Sequence, residues 1–116
     1  MKKVTLFIAM AFFCLHVSAQ VNVDGIDINT KENLEYVEIL GVGKLNGQVV
    51  ISIDYGQKRK LFKPSVIKGP DGKNRAFNSM VDALNFFNSN GWEYVNSYAV
   101  TIGNSNVYHY LLKRKE

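Results

Sequence analysis

The amino-acid sequence predicts a two-layer α+β domain, in which one helix packs on one face of an antiparallel sheet of four or more strands. Three observations support this fold. Apolar and polar residues alternate around strong turn signals, one stretch has helical spacing, and 47% of the 116 residues are hydrophobic while 21% are charged. That composition is typical of a folded chain and excludes wholesale disorder. The predicted order is β-β-(β-β)-α-β-β, and a single helix must bury its apolar stripe against a sheet.

The first nineteen residues have the pattern of a cleavable export signal. Lys2 and Lys3 precede the apolar run 4–17, and Val17-Ser18-Ala19 ends that run with small residues. The run has 14 residues, fewer than the roughly 20 of a membrane-spanning helix. We therefore expect residues 1–19 to be a signal peptide cleaved after Ala19. The mature chain is then periplasmic or extracellular and has no membrane span. The alternative is that the run belongs to the mature fold.

Cleavage at this position removes most of the side chains that carry catalytic or metal-binding chemistry. Cys14 and His16 are lost, so the mature chain has no cysteine and one histidine, His109. Loss of Lys2 and Lys3 leaves 12 of the 14 basic residues against 10 acidic ones, a net charge of +2. Disulfides, thiolate nucleophiles and cysteine-ligated metals are excluded. The sequence therefore predicts no cofactor and no metal.

Residues 20–33 are polar with isolated apolar residues, and we interpret them as a flexible leader before a single α+β domain over 34–116. The alternation Val21/Val23 and Ile26/Ile28 leaves open an additional edge strand.

A hairpin follows the leader, with strands predicted over 34–44 and 49–55. Asn46-Gly47 between them is the strongest short signal for a two-residue type I′ turn. That turn would place Val42 opposite Ile51 and Leu40 opposite Ile53, because cross-strand partners share a face of a sheet. The predicted core face therefore carries these four residues, and Ile39 lies on the more polar face.

Residues 56–75 are less regular and strongly basic. Pro64 restricts any strand here to an edge, and the turn signal Gly69-Pro70-Asp71-Gly72 predicts a second, smaller hairpin. The segment has one acid, Asp71, and seven basic residues, Lys58, Arg59, Lys60, Lys63, Lys68, Lys73 and Arg75. Such a cluster can bind a polyanion or an acidic glycan. It can equally protect a sheet edge from aggregation.

The predicted helix covers residues 79–90. Ser79 is a candidate N-cap, Asp82 occupies the N3 position of a capping box, and Gly91 follows the last turn where a left-handed residue is expected. The apolar stripe at helical spacing consists of Met80, Ala83, Leu84 and Phe87.

Two alternating strands complete the domain, with the loop 102–106 between them. The first, 92–101, is predicted to place Trp92, Tyr94, Tyr98 and Val100 on one face. The second, 107–113, is predicted to place Tyr108 and Tyr110 on one face and His109 on the other.

The motif Asn90-Gly91-Trp92-Glu93-Tyr94-Val95 after a helix, with a last strand ending Tyr110-Leu111-Leu112-Lys113-Arg114, resembles a group of small bacterial domains of unknown function. The stretch 77–85 and the C-terminal half are also similar to small exported proteins of gut Bacteroidetes. The resemblance covers roughly residues 34–116 and supports the fold. It implies no established activity, and no catalytic residue is transferred from it.

The candidate chemistry favours a binding domain over an enzyme. No Gly-x-Ser-x-Gly elbow is present, His109 lacks a recognisable nucleophile, and no spacing brings two carboxylates together. We therefore expect no enzymatic activity. Four tyrosines in predicted strands, Tyr94, Tyr98, Tyr108 and Tyr110, are the candidate contacts for a protein or glycan partner, or for a homodimer. Predicted export argues against a nucleic-acid ligand.

Overall fold

The structure is a computed structural model that describes residues 19–58 and 63–116. The predicted signal peptide, residues 1–19, therefore lies outside the described residues except for Ala19. The elements in chain order are β1 (Asn22–Val23), β2 (Ile26–Asp27), a 3-10 helix (Ile28–Thr30), β3 (Tyr36–Gly43), β4 (Val49–Asp54), β5 (Ala76–Phe77), α1 (Met80–Ser89), β6 (Trp92–Ile102) and β7 (Ser105–Arg114).

Strands β3 to β7 form a five-stranded antiparallel sheet in the order β5-β4-β3-β7-β6. The helix α1 lies in sequence between β5 and β6. The predicted α+β class and the placement of the helix are confirmed. Strands β1 and β2 pair separately as a two-stranded ribbon.

The ends of α1 are fixed by the residues that the sequence indicates. The Ser79 hydroxyl accepts a hydrogen bond from the backbone N–H of Asp82 at 3.1 Å, and the Asp82 carboxylate accepts one from the N–H of Asn78 at 3.0 Å. Gly91 follows the helix with φ +92°, the left-handed conformation that costs glycine little. Local sequence therefore determines where this helix begins and ends.

One face of the sheet packs under the helix and forms the core, and we call it the covered face. Ala83 and Phe87 of α1 are buried against it. Met80 lies directly over Gly41, where any Cβ atom would overlap the Met80 thioether. The buried side chains of the central strands are Val37, Ile39, Val49, Ile51 and Ile53.

The register of the first hairpin differs from the prediction by one residue. The loop is closed by Lys44 and Gln48 and contains three residues, with Gly47 N–H donating to Lys44 O at 3.0 Å. Gly47 has φ +83°, while Asn46 is not left-handed, so the turn is not type I′ but a tight turn completed by a left-handed glycine.

The extra loop residue moves the side chains of β3 to the opposite face relative to those of β4. Ile39 pairs with Ile53 and Gly41 pairs with Ile51. The predicted pairs of Val42 with Ile51 and of Leu40 with Ile53 are wrong. Ile51 and Ile53 are buried as predicted. Ile39 is also buried, whereas Leu40 and Val42 lie on the opposite face, because the one-residue shift turns the side chains of β3 to the other side.

The same loop geometry recurs in the small hairpin predicted around Pro70. Gly72 N–H donates to Gly69 O at 3.0 Å, and Gly69 N–H donates to Lys73 O at 2.8 Å. Lys68 and Asn74 form a β-bridge just outside this loop.

Residues 20–33, for which the sequence predicts a leader, contribute three fully buried side chains, Val21, Val23 and Ile28. Val23 bridges to Ile67, which connects the β1–β2 ribbon to the main fold.

A polar network fixes the chain that follows this ribbon. The indole N–H of Trp92 donates to Asn29 Oδ1 at 2.7 Å. The guanidinium of Arg114 lies 4.9 Å from the Trp92 ring centre and donates to the backbone oxygens of Asn29, Lys31 and Leu34. Trp92 belongs to the Gly91-Trp92-Glu93 motif, and Arg114 lies at the basic end of the last strand. Both parts of the sequence motif therefore have a structural role here.

Candidate binding surface

A β-bulge in β6 decides where the four candidate tyrosines lie. The pairing of β6 with β7 shifts between Tyr94 and Asn96, so Val95 is an extra residue and the alternation changes sides after it. Tyr94 pairs with Leu112, whereas Tyr98 pairs with His109. The predicted common face of Tyr94 and Tyr98 is wrong, because the bulge places them on opposite faces.

Three of the four tyrosines lie on the side of the sheet that carries the helix. The rings of Tyr94 and Tyr110 are 5.8 Å apart, and the Tyr94 hydroxyl is 2.7 Å from Ser97 Oγ. Tyr108 pairs with Gly41 and Ala99. Tyr110 packs against the core, while Tyr94 and Tyr108 keep exposed surface. As the alternation predicts, Tyr108 and Tyr110 lie on the face of β7 opposite to that of His109.

The other face of the sheet carries no helix from the described part of the chain, and we call it the open face. A row of four valines crosses it from β6 to β4. Val100 pairs with Val107, Val107 with Val42, and Val42 with Val50. Val42 is 40% exposed and Val100 is 39% exposed. The four side chains form one continuous apolar strip, which we call the valine row.

The neighbouring row on the open face holds a fixed aromatic pair. Tyr98, His109 and Leu40 are cross-strand partners. The Tyr98 and His109 rings stack with centres 4.5 Å apart and planes within 8°. Nδ1 of His109 lies 2.9 Å from Glu38 Oε1, and a carboxylate oxygen accepts, so the ring nitrogen donates. The pair fixes the orientation of the imidazole beside the valine row.

The open face does not bring Ser52 next to His109. Ser52 is on the same face, but it pairs with Leu40, which separates it from His109 by a whole strand. Within residues 19–58 and 63–116, no three His, Cys, Asp or Glu side chains lie close enough together to hold a metal ion. The chemistry that the open face offers is apolar contact bordered by a few polar groups.

Within the basic segment, Arg59 and Lys60 fall outside the described residues, and Val66 bridges to Ser52 at the edge of the main sheet. A groove of about 310 Å³ contains Lys58, Lys63 and Asp24 in its lining. A second groove of about 620 Å³ contains Lys63, Lys68 and Asp24. Lys63 therefore contributes to both, and Asp24 offsets part of their positive charge.

The side chains of Arg75 and Lys68 have partners within the fold. The Arg75 guanidinium lies 4.2 Å from the centre of the Phe86 ring, a cation–π distance. The Lys68 ammonium donates to Asn74 Oδ1. Lys73 is exposed in the Gly69–Lys73 loop.

Sequence reasoning named Tyr98, Val100 and His109 but missed other residues that build the open face. Val42 was assigned to the core face, and Val50, Val107 and Glu38 were not singled out. The useful signal was present, because β3 and β4 have apolar residues at successive positions and not only at alternate ones. Such strands are apolar on both faces, and the second apolar face needs either cover or a partner.

No helix in the described part of the chain is long and apolar enough to cross a membrane. No protein-family model, curated protein or solved structure matches this chain.

Proposed function

We propose that this protein is an exported, non-enzymatic domain that binds a protein partner through the open face of its sheet. The observation that carries the proposal is the valine row, Val100–Val107–Val42–Val50, on the face opposite the helix. Export is proposed from the basic start, the apolar run and the small-residue end of residues 1–19.

The valine row supports binding because its side chains sit on a rigid sheet and remain partly in contact with water. Burial of apolar area contributes roughly 25 cal/mol per Å². The strip is broad, since it spans four neighbouring strands about 4.8 Å apart. A partner surface that covers it removes aliphatic area from water without ordering any flexible loop.

The border of the strip supports a protein rather than a glycan. Glycan sites commonly present a free aromatic face and many hydrogen-bonding groups, whereas one ring face of Tyr98 is occupied by His109. Glu38 and His109 already hydrogen-bond each other. Aliphatic contacts at the centre with polar groups at the rim are typical of protein interfaces.

Site-specific photo-crosslinking tests this proposal in the cells that make the protein. A photoreactive phenylalanine analogue at position 42 reports on the open face. The same analogue at position 81 is the matched control, because Val81 is 64% exposed on the outer side of α1. We expect a discrete crosslinked protein from position 42 that is lost when Val107→Asp is added. No discrete product from position 42, or the same products from position 81, would contradict the proposal.

A second candidate function is polyanion or acidic-glycan binding by the basic segment. The observation that favours it is that Lys58, Lys63 and Lys68 line neighbouring grooves. Binding to heparin, used as a sulfated probe, should weaken steeply as salt rises. Lys63→Glu should weaken it further, while Lys44→Glu in the distant first hairpin loop should not. Binding insensitive to salt and to Lys63→Glu would exclude this function.

A further inference from the structure

The two edges of the five-stranded sheet are built very differently. At one edge, β5 has only two residues and pairs with the beginning of β4. Farther along β4, Ser52 forms an isolated β-bridge with Val66. Ile53 N–H also donates to Ser65 O at 2.8 Å. Lys63 and Pro64 lie just before this segment. Short strands, lysine and proline are devices that natural proteins use to prevent edge-to-edge pairing.

The other edge has almost none of these devices. Strand β6 has 11 residues and, in the described part of the chain, pairs with β7 alone. Its one irregularity is the bulge at Val95, near its beginning. After the bulge, pairing is regular from Asn96 to Ile102. This outer segment, 96–102, reads Asn-Ser-Tyr-Ala-Val-Thr-Ile, with no charge, no proline and no glycine.

We propose that segment 96–102 pairs antiparallel with the same segment of a second copy of this chain. The twofold axis would pass beside Ala99 and join two sheets into one of ten strands. The composition and register of the β6 edge support this pairing independently of the proposed function.

Self-pairing centred on Ala99 gives favourable side-chain pairs. Tyr98 lies opposite Val100 of the second copy, and Ser97 lies opposite Thr101 of the second copy. Aromatic–β-branched pairs and Ser–Thr pairs are among the stabilising cross-strand combinations. Because the segment is uncharged, no like charges within it meet across the axis. The same property gives a charged peptide strand nothing to recognise, which favours a second copy as the occupant.

The geometry of this pairing also closes the assembly. A twofold axis perpendicular to the sheet uses the same patch on both copies, so association stops at the dimer. Both open faces then lie on the same side of the combined sheet. Tyr98, which is 56% exposed, and Ile102, which is 65% exposed, gain neighbours from the second copy.

Cysteine substitution in the full chain tests the register directly. Cys14→Ser first removes the native thiol. Ala99→Cys then places two thiols opposite each other, at a Cα separation of about 5 Å that suits a disulfide. Thr101→Cys is the matched control, because its two copies would be displaced by about 13 Å along the strand. We expect disulfide-linked dimers to form about tenfold faster for Ala99→Cys. Equal rates, or no crosslinking at position 99, would overturn the proposal.

Light scattering gives an independent readout that does not depend on disulfide chemistry. The wild-type mass should be that of a dimer at low and at high salt. Ala99→Lys should give a monomer, because two lysines would then face each other across the axis, while Val81→Lys on the helix should remain dimeric. A wild-type monomer, or a dimer that persists in Ala99→Lys, would overturn the proposal. Neither variant alters the valine row, so crosslinking from position 42 is tested separately.

Discussion

The covered and open faces of the sheet are made from the same strands and from similar residues, yet the first is buried and the second remains partly exposed to water. On β4, Ile51 is fully buried while its neighbour Val50 keeps contact with water. On β3, Ile39 is fully buried while Val42 is 40% exposed. The difference arises from cover, because the ten-residue helix α1 lies on one face. An apolar residue in a strand is therefore evidence for the strand and not for burial.

The largest loss of folding stability is expected where the helix packs on the covered face. Phe87 is 1% exposed, and its ring meets the Phe86 ring edge to face, with ring centres 5.4 Å apart. Phe87→Ala should reduce the free energy of unfolding by about 3–5 kcal/mol, because it leaves a cavity under α1. Val81→Ala on the outer side of the same helix should change it by less than about 0.5 kcal/mol. Urea denaturation measures both, and similar losses would mean that α1 packs differently.

A matched pair in β4 compares the two faces at adjacent positions. Ile51→Ala should cost about 2–5 kcal/mol of unfolding free energy. Val50→Ala should cost less than about 1 kcal/mol, because that side chain is only partly removed from water. Thermal and urea unfolding of both variants provide the measurement. A larger loss for Val50→Ala would show that the open face is covered within the folded chain.

The close approach of α1 to the covered face can be tested at Gly41. A Cβ at this position would overlap the Met80 thioether, so Gly41→Val should cost about 1–3 kcal/mol by overpacking. Adding Met80→Ala should recover part of the loss, which a double-mutant cycle quantifies. Losses that simply add would place Met80 away from Gly41.

The smallest expected effect on stability concerns the valine row itself. Val42→Thr keeps a β-branched side chain at a partly exposed position and should change the free energy of unfolding by within about 0.5 kcal/mol. Its effect should be on binding, seen as weaker crosslinking from a photoreactive residue at position 107. A strong destabilisation by Val42→Thr would indicate that this position belongs to the core.

Residues 79–91 show how much local sequence determines. The Ser79 cap, the Asp82 contact and the left-handed Gly91 depend on neighbours within a few residues, so the pattern predicts the helix and its ends. The positions of both long hairpins follow similarly from alternation and turn residues. One helix between hairpins was then sufficient to predict the α+β class.

The side on which each strand residue lies could not be obtained in this way. Asn46-Gly47 is compatible with a two-residue or a three-residue loop, and Val95 carries no mark of a bulge. Each choice changes the register by one residue and turns the residues of one strand, or of part of it, to the other face. In β3 and β4, apolar residues on both faces remove the pattern that normally selects one register, so alternation alone predicts Val42 in the core. In β6, the bulge at Val95 separates the faces of Tyr94 and Tyr98, which alternation alone predicts to be shared.

The sequence by itself determined the two long hairpins, the helix with its caps and the fold class of this protein, because these depend on contacts between near neighbours. Only the tertiary structure decided which face α1 covers, that residues 20–33 contribute Val21, Val23 and Ile28 to the core, and that Asn29, Trp92 and Arg114 meet. Those outcomes depend on packing between segments that are distant in the chain, such as Met80 on Gly41, Val23 with Ile67 and Asn29 with Trp92, and local patterns carry no information about such contacts.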